Sequence, residues 1–445
     1  MSYEFRPLGE VCKTTSGGTP SRSKPHYFNG PIPWVKSGEL PDGMVVENSE
    51  YISEEAISNS SAKLLPAGTL LVALYGATVG KLGILSRPAA TNQAVCAIFP
   101  RDVVNTKFLF WYLLAKRPWL IGQAVGGAQP NISQGVVRSL PVPVMSLMAQ
   151  QGIVAEIEKQ FSRLDDAVAN LQRVKANLKR YKAFILKAAV EGRLVETEAS
   201  LARREGRTCE TGEQLLQRIL EARRVNSKGS SMLGVAPPLG EMPSIPEGWV
   251  WTSLGQCFRV AVGATPSRKE ATYWNGDVPW VSSGEVKLGR IRHTEEHISA
   301  AGLANSSTRI NPAGSVMIGM IGQGRTRGQA AILDIDAANN QNCAAIWVSH
   351  TDVPPEFVFN WLLSRYTETR SEGSGNNQQA LNKRLVEQIP LPLPPLAEQV
   401  RIVVEVDRHL SIIREVEAEV DANHQRAQAL RQSILQRSFA TGRHD

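Results

Sequence analysis

The chain has 445 residues, of which 42% are hydrophobic and 20% charged, and a net charge of +7. That is the composition of a soluble globular protein, long enough for two or three domains that each bury a core. No run of 18 apolar residues occurs, which excludes a membrane-spanning helix, and the basic balance permits a polyanionic partner without requiring one.

The opening MSYEFRPLGE lacks a basic stretch followed by an apolar one, so a cytoplasmic protein without membrane attachment is expected. The five cysteines (Cys12, Cys96, Cys209, Cys257 and Cys343) are scattered and never in CxxC spacing, which fits reduced thiols and no zinc site. From residue 1 to 147, short apolar runs alternate with Gly, Pro and Asn. Pro31–Val35, Leu70–Leu74 and Ala94–Phe99 read as strands, and Lys107–Leu114 as a short helix. Leu140-Pro-Val-Pro143 is an extended exit that no helix can continue through.

From Gln150 to Leu194 there is no proline, and Ile157, Phe161, Leu164, Val168, Leu171, Leu178 and Ile185 follow the seam of a heptad. Lys175 and Lys182 interrupt one side of it. A helix of that length needs a partner helix to lie along. Residues 195–245 read as a connector, with an amphipathic helix at Glu213–Arg224 and a Ser/Gly/Pro linker from Asn226 to Pro246.

The first region then returns. GGTPSRSKPHYFNGPIPWVKSGE at Gly17–Glu39 is matched by GATPSRKEATYWNGDVPWVSSGE at Gly263–Glu285, 246 residues later and without a gap. Asn59-Ser-Ser61 recurs as Asn305-Ser-Ser307, Pro66-Ala-Gly68 as Pro312-Ala-Gly314, and Asn92-Gln93 as Asn340-Gln341 after a two-residue insertion. Ile389-Pro-Leu-Pro392 repeats the proline exit, and a second long helix from Ala397 has a seam at Val406, Ile413, Val416, Val420, Ala427, Leu430 and Ile434, with Asn423 at a seam position. A period this long means two copies of a domain, not a solenoid. The expected fold is α+β: two repeated sheet-rich domains joined by two long antiparallel helices forming a coiled coil, with pseudo-two-fold symmetry. The expected divisions are a first domain at 1–147, a helix at 148–194, the connector at 195–245, a second domain at 246–395 and a helix at 396–445.

No catalytic pattern survives comparison of the copies. His293-Thr-Glu-Glu-His297 has the form of a zinc-peptidase motif, but copy one has Glu47 and Tyr51 at the two histidine positions. Asp277 with Glu285 and Lys287 imitates a nuclease, yet copy one offers Pro31, Glu39 and Pro41. Gly322-Gln-Gly-Arg-Thr-Arg-Gly328 lacks the G-K-[ST] ending of a phosphate loop. No metal site and no catalytic residue are expected.

As an ensemble, these blocks, together with the Leu396-Ala-Glu-Gln399 helix start, the Glu210–Leu216 connector and the IPEGWVW re-entry at Ile245–Trp251, resemble the specificity subunit of a type I restriction-modification enzyme over essentially the whole chain. The resemblance implies two target-recognition domains, each reading one half of a bipartite, asymmetric duplex DNA site. It implies helices that set the gap and dock two modification (methyltransferase) subunits. S-adenosylmethionine, ATP and Mg belong, on that resemblance, to the modification and the translocating, cutting restriction subunits, so this chain is expected to carry no cofactor. A two-headed adaptor built on the coiled coil, without sequence-specific DNA binding, is the competing reading.

Two heads that read different sequences need one scaffold and different base contacts. Shared aromatics such as Trp34 and Trp280 are therefore assigned to the frame, and variable polar loops to the DNA. The candidates are Thr78 and Lys81 against Gln323, Arg325 and Arg327, and Gln129, Asn131, Ser133 and Gln134 against Gln378, Gln379, Asn382 and Lys383. Lys and Arg meet phosphate or guanine, and amides pair with adenine. The shared amides Asn92, Gln93, Asn340 and Gln341 join them as candidates for backbone or phosphate contact.

Overall fold

The computed structural model describes residues 4–126, 130–226, 242–322, 326–371 and 380–439. Two units divide the chain: Met1–Arg173 together with Val420–Asp445, and Val174–Glu419. Strands of the first unit are β1 (Glu4–Pro7), β2 (Cys12–Ser16), β3 (Ile32–Val35), β4 (Gly43–Val45), β5 (Glu50–Ile52), β6 (Leu70–Ala73), β7 (Leu82–Leu85), β8 (Ala90–Thr91), β9 (Val95–Pro100) and β10 (Pro141–Val144). A five-stranded sheet runs β2-β9-β6-β7-β4, antiparallel except at its β7–β4 edge. A three-stranded sheet runs β5-β3-β8, and β1 pairs with β10.

The central strand β6 shows why this layering forms. All four of its residues are buried, because both faces of the sheet are covered. Leu70 and Val72 pack with Phe108, Leu109 and Tyr112 of the helix Thr106–Ala115, while Leu71 and Ala73 pack on the opposite face with Val35 of β3. Burying each of these large side chains stabilises the domain by about 1.5–3 kcal/mol. Asn105 starts the helix by accepting the Phe108 N–H at 3.1 Å.

The second unit repeats this plan strand for strand. Its strands are β11 (Val250–Ser253), β12 (Arg259–Val262), β13 (Trp274–Val281), β14 (Gly289–Ile291), β15 (Glu296–Ile298), β16 (Val316–Gly319), β17 (Ala330–Leu333), β18 (Ala338–Asn339), β19 (Cys343–Trp347) and β20 (Pro390–Leu393). Sheet orders are β12-β19-β16-β17-β14, β15-β13-β18 and β11-β20. The expected repeat is thus a repeat of topology.

The long helices are Leu147–Val190 and Leu396–Phe439, each 44 residues. Each carries a buried glutamine in its first turn, and the first of these ties its helix to the domain before it. Gln150 accepts from Asn105 N at 2.8 Å and donates to Val103 O and Met145 O, and Gln399 donates to Pro394 O at 2.8 Å. Within the first unit Ile157 and Phe161 cluster with Ile434 and Leu435, and Arg431 pairs with Asp165. Within the second, Tyr181 Oη lies 2.9 Å from His409 Nδ1, and Ile185 and Leu186 join the cluster holding Ile402 and Val406. Partner numbers fall as helix numbers rise, so both stretches are antiparallel.

One seam expectation is corrected. Val406, Ile413, Val420 and Ile434 are buried, but Val416 and Leu430 are 36% and 47% exposed. The other side of the second seam falls four residues after each buried position, on Leu410, Glu417 and His424, all partly buried. Its apolar residues three positions on therefore face outward. The connector also holds a helix that composition concealed, Glu198–Glu205, capped by Thr197 and ended by Gly206 in the left-handed region. The linker expected at 226–246 lies largely outside the described residues.

Candidate nucleic-acid interface

In each copy the repeated block builds a frame. Trp34, 2% exposed, donates its indole N–H to Gly18 O at 3.0 Å, and Trp280, also 2% exposed, donates to Ala264 O at 3.1 Å. A Cβ on Gly17 would lie 2.2 Å from Asn92 O, and one on Gly263 would lie 1.8 Å from Asn339 O, so the chain passes there too closely for any side chain. Glu39 accepts from Lys36 N at 2.8 Å and Ser49 N at 2.9 Å, and Glu285 from Ser282 N at 2.7 Å and Glu295 N at 2.9 Å. The nuclease-like acid is a backbone tether in both copies. Among the described residues no cluster of three His, Cys, Asp or Glu side chains is placed to hold a metal.

A guanidinium locks the frame from outside. Arg22 sits 4.1 Å from the Phe28 ring centroid and 2.7 Å from Glu50, and Arg268 repeats this with Trp274 at 3.6 Å and Glu296 at 2.8 Å. Hydrogen bonding from Lys36, aided by Arg22, holds the Glu50 carboxyl below the usual carboxylate range, and Arg268 does the same to Glu296. Sequence reading passed over this pair, although the 246-residue register places Arg22 on Arg268 and Glu50 on Glu296.

The variable loops meet at the end of the central strand. Leu74, just after β6, donates its N–H to Ala94 O and accepts from Ile132 N; Gly76 N donates to Pro130 O at 2.8 Å. This joins the start of the loop that carries Thr78 and Lys81 to the segment Pro130–Ile132, which holds Asn131 and runs on into Ser133 and Gln134, with Gln93 one residue from Ala94. Met320 repeats the junction, donating to Asn342 O and accepting from Leu381 N, next to Asn382 and Lys383. Arg327 lies on the turn whose Gly328 N–H donates to Gly319 O at the end of β16.

Several of these side chains have partners inside the fold. Ser133 and Asn382 cap short helices by accepting from Val136 N and Leu385 N. Gln134 donates to Thr14 Oγ1 at 2.6 Å and accepts from Ser16, holding β2. Thr78 donates to Tyr75 O, Lys383 pairs with Glu387 at 3.5 Å, and buried Asn340 accepts from Asn342 N. Asn131 and Val125 exchange backbone bonds, and Asn92 N donates to Val35 O. Lys81 is half-exposed and forms no ion pair among the described residues. Gln129, Gln323, Arg325, Gln378 and Gln379 lie outside the described residues.

The model for the type I restriction modification DNA specificity domain matches residues 2–180 and again 246–422. The specificity subunit of the Escherichia coli type I restriction enzyme EcoR124I/EcoR124II is 30% identical over 171 residues, 37% of this chain and 42% of that protein. That of Methanocaldococcus jannaschii MjaIX is 24% identical over 176 residues, so the alignments span less than half the length of these two relatives. That of E. coli EcoDI is 22% identical across 99% of this chain and 88% of its own length. The HsdS subunit from Thermoanaerobacter tengcongensis shares the fold at TM-score 0.57 and 17% identity, over 99% of this chain and 97% of that one. A chain from a structural study of type I R-M system assembly and conformational transition does so at TM-score 0.71 and 17% identity, over 99% and 98%. With two model matches that fall on its two copies and cover most of its length, the chain belongs to the type I restriction modification DNA specificity family.

Proposed function

We propose that this chain is the non-catalytic, address-reading subunit of a type I restriction-modification complex. Its domains at 1–147 and 246–395 each read one half of a bipartite, asymmetric duplex site. Its helices set the gap and dock modification subunits that carry S-adenosylmethionine, with an ATP- and Mg-dependent restriction subunit joining them. One observation carries this reading: two strand-for-strand copies of one scaffold present different polar loops at the same junction, after Leu74 and at Met320. A duplicated frame with divergent loops suits two different half-sites on one chemically uniform polymer. Apolar side chains left exposed on the helices, such as Phe184 at 55% and Val404 at 63%, suit subunit docking.

The test is to map adenine methylation in a host that expresses this chain with its modification subunits. One split motif, lost when this chain is omitted, is the expected result. Methylation without a motif, with no sequence-selective, salt-dependent DNA binding by the reconstituted complex, would leave the coiled-coil adaptor as the function.

A further inference from the structure

Resting on that reading, we infer that each domain carries the same built-in grip for the DNA phosphate backbone: Thr19, Gln93 and Lys63 in the first unit, and Thr265, Gln341 and Arg309 in the second. The Thr265 hydroxyl donates to Gln341 Oε1 at 2.6 Å, and Thr19 donates to Gln93 in the same way. With Oε1 engaged, each amide Nε2 keeps two N–H donors and has no partner among the described residues. Gln93, Gln341, Lys63 and Arg309 are all exposed.

The platform beneath is rigid. Gly18 N and Ala264 N donate to Thr91 O and Asn339 O at 2.9 and 3.0 Å, while Trp34 and Trp280 hold the carbonyls of Gly18 and Ala264. The segment before Lys63 crosses this platform so closely that a Cβ on Gly18 would meet Ala62 N at 2.3 Å. In the second unit Thr308 Oγ1, next to Arg309, donates to Asn339 O at 2.9 Å. Lys63 Nζ reaches Thr15 Oγ1 at 2.5 Å, and Arg309 forms no ion pair among the described residues.

These side chains close no core, yet hydroxyl, amide and cation recur in both copies while the neighbouring loops diverge. A partner common to two half-sites of different sequence is their phosphodiester backbone, and sites made of N–H donors and a cation suit its anionic oxygens.

The experiment titrates full-length chain, reconstituted with its modification subunits, onto a duplex bearing the methylated motif and onto a scrambled duplex, across a salt series. K63A/Q93A and R309A/Q341A should each bind both duplexes several-fold more weakly, with their ratio unchanged and the salt slope shallower by about one. K63R should keep the wild-type slope, and the exposed positions should leave the melting temperature unchanged. Unaltered affinity and slope in both double variants would overturn the grip while leaving the address-reading function standing. Loss of discrimination with unchanged scrambled-duplex affinity would overturn it in favour of base reading. Wild-type complex that shows no salt-dependent, selective binding would overturn the address-reading function and the grip with it.

Discussion

Close approach, more than side-chain chemistry, fixes the Gly-Gly-Thr-Pro turn. Gly17→Ala would press a methyl against Thr91 and Asn92 backbone oxygens at 2.2–2.4 Å and should destabilise the first unit by more than about 2 kcal/mol. Gly38→Ala, with nothing within 4 Å, should stay within about 0.5 kcal/mol in the same denaturant titration. Burial pushes the thiols of Cys12, Cys96, Cys257 and Cys343 up to about 12, leaving them protonated at neutral pH. In the folded chain a maleimide should therefore label the partly exposed Cys209 alone, read as one adduct by intact mass. Arg327→Ala should weaken recognition of the second half-site by about 1–3 kcal/mol and leave the first half-site's preference intact, measured by binding to single-base variants of each half. Unchanged affinity and specificity would remove Arg327 from the interface.

Among the elements, the joint between connector and second helix carries the most charge that water does not reach. Glu398 accepts from Trp249 Nε1 at 2.9 Å and from Glu198 N at 2.8 Å, and burial raises its pKa against those bonds. Burial also works against ionised Glu198, but Arg207 and Arg401, at 2.6 and 2.7 Å, outweigh it and hold its pKa below the usual range. The two therefore respond to pH in opposite senses. Stability from Glu198 is present above the ordinary carboxylate pKa and is lost as pH falls below it. Stability associated with protonated Glu398 is present below that pKa and is lost as pH rises through the raised one. Glu198→Gln should cost about 2–4 kcal/mol at pH 7 and progressively less in acid, whereas Glu398→Gln should improve relative to wild type as pH rises; melting temperatures from pH 4 to 8 read both.

How much of this was legible in sequence depended on range. The repeat and the strands at Ile32, Leu70 and Val95 were local and periodic, so both could be read. Glu198–Glu205 was not, because its only apolar side chains beyond alanine come from Leu201 and its role rests on a glutamate 200 residues away. Gln134 looked like a free loop amide because its partners, Thr14 and Ser16, are 120 and 118 residues earlier. One side of the second seam, at Val406, Ile413, Val420 and Ile434, is where the sequence puts it, but the other side is not legible because Val416 and Leu430 are apolar while Glu417 and His424, the residues turned inward, are not.

At the level of the entire molecule, the proposal that the helices set the gap carries a length prediction. Deleting one heptad from each helix shortens it by about 10 Å, or about three base pairs at 3.4 Å each. The methylation motif should then accept a shorter spacer, read by sequencing methylated sites. An unchanged spacer would sink the ruler while leaving the domains' reading of each half untouched.

Phe439 packs 5.6 Å from the Phe108 ring and 5.3 Å from that of Tyr112, within a first unit assembled from residues 1–173 and 420–445. The second unit is one continuous stretch, Val174–Glu419. On a ribosome the first domain is synthesised early but waits for its last aromatic contacts until the second has emerged. Non-local closure of this kind is slow, and the first unit cannot complete it until the end of the chain is available. A chain truncated before Val420 keeps every residue of the second unit but lacks the helix end that packs on Phe108 and Tyr112, so its first unit stays open there while its second has all it needs to close.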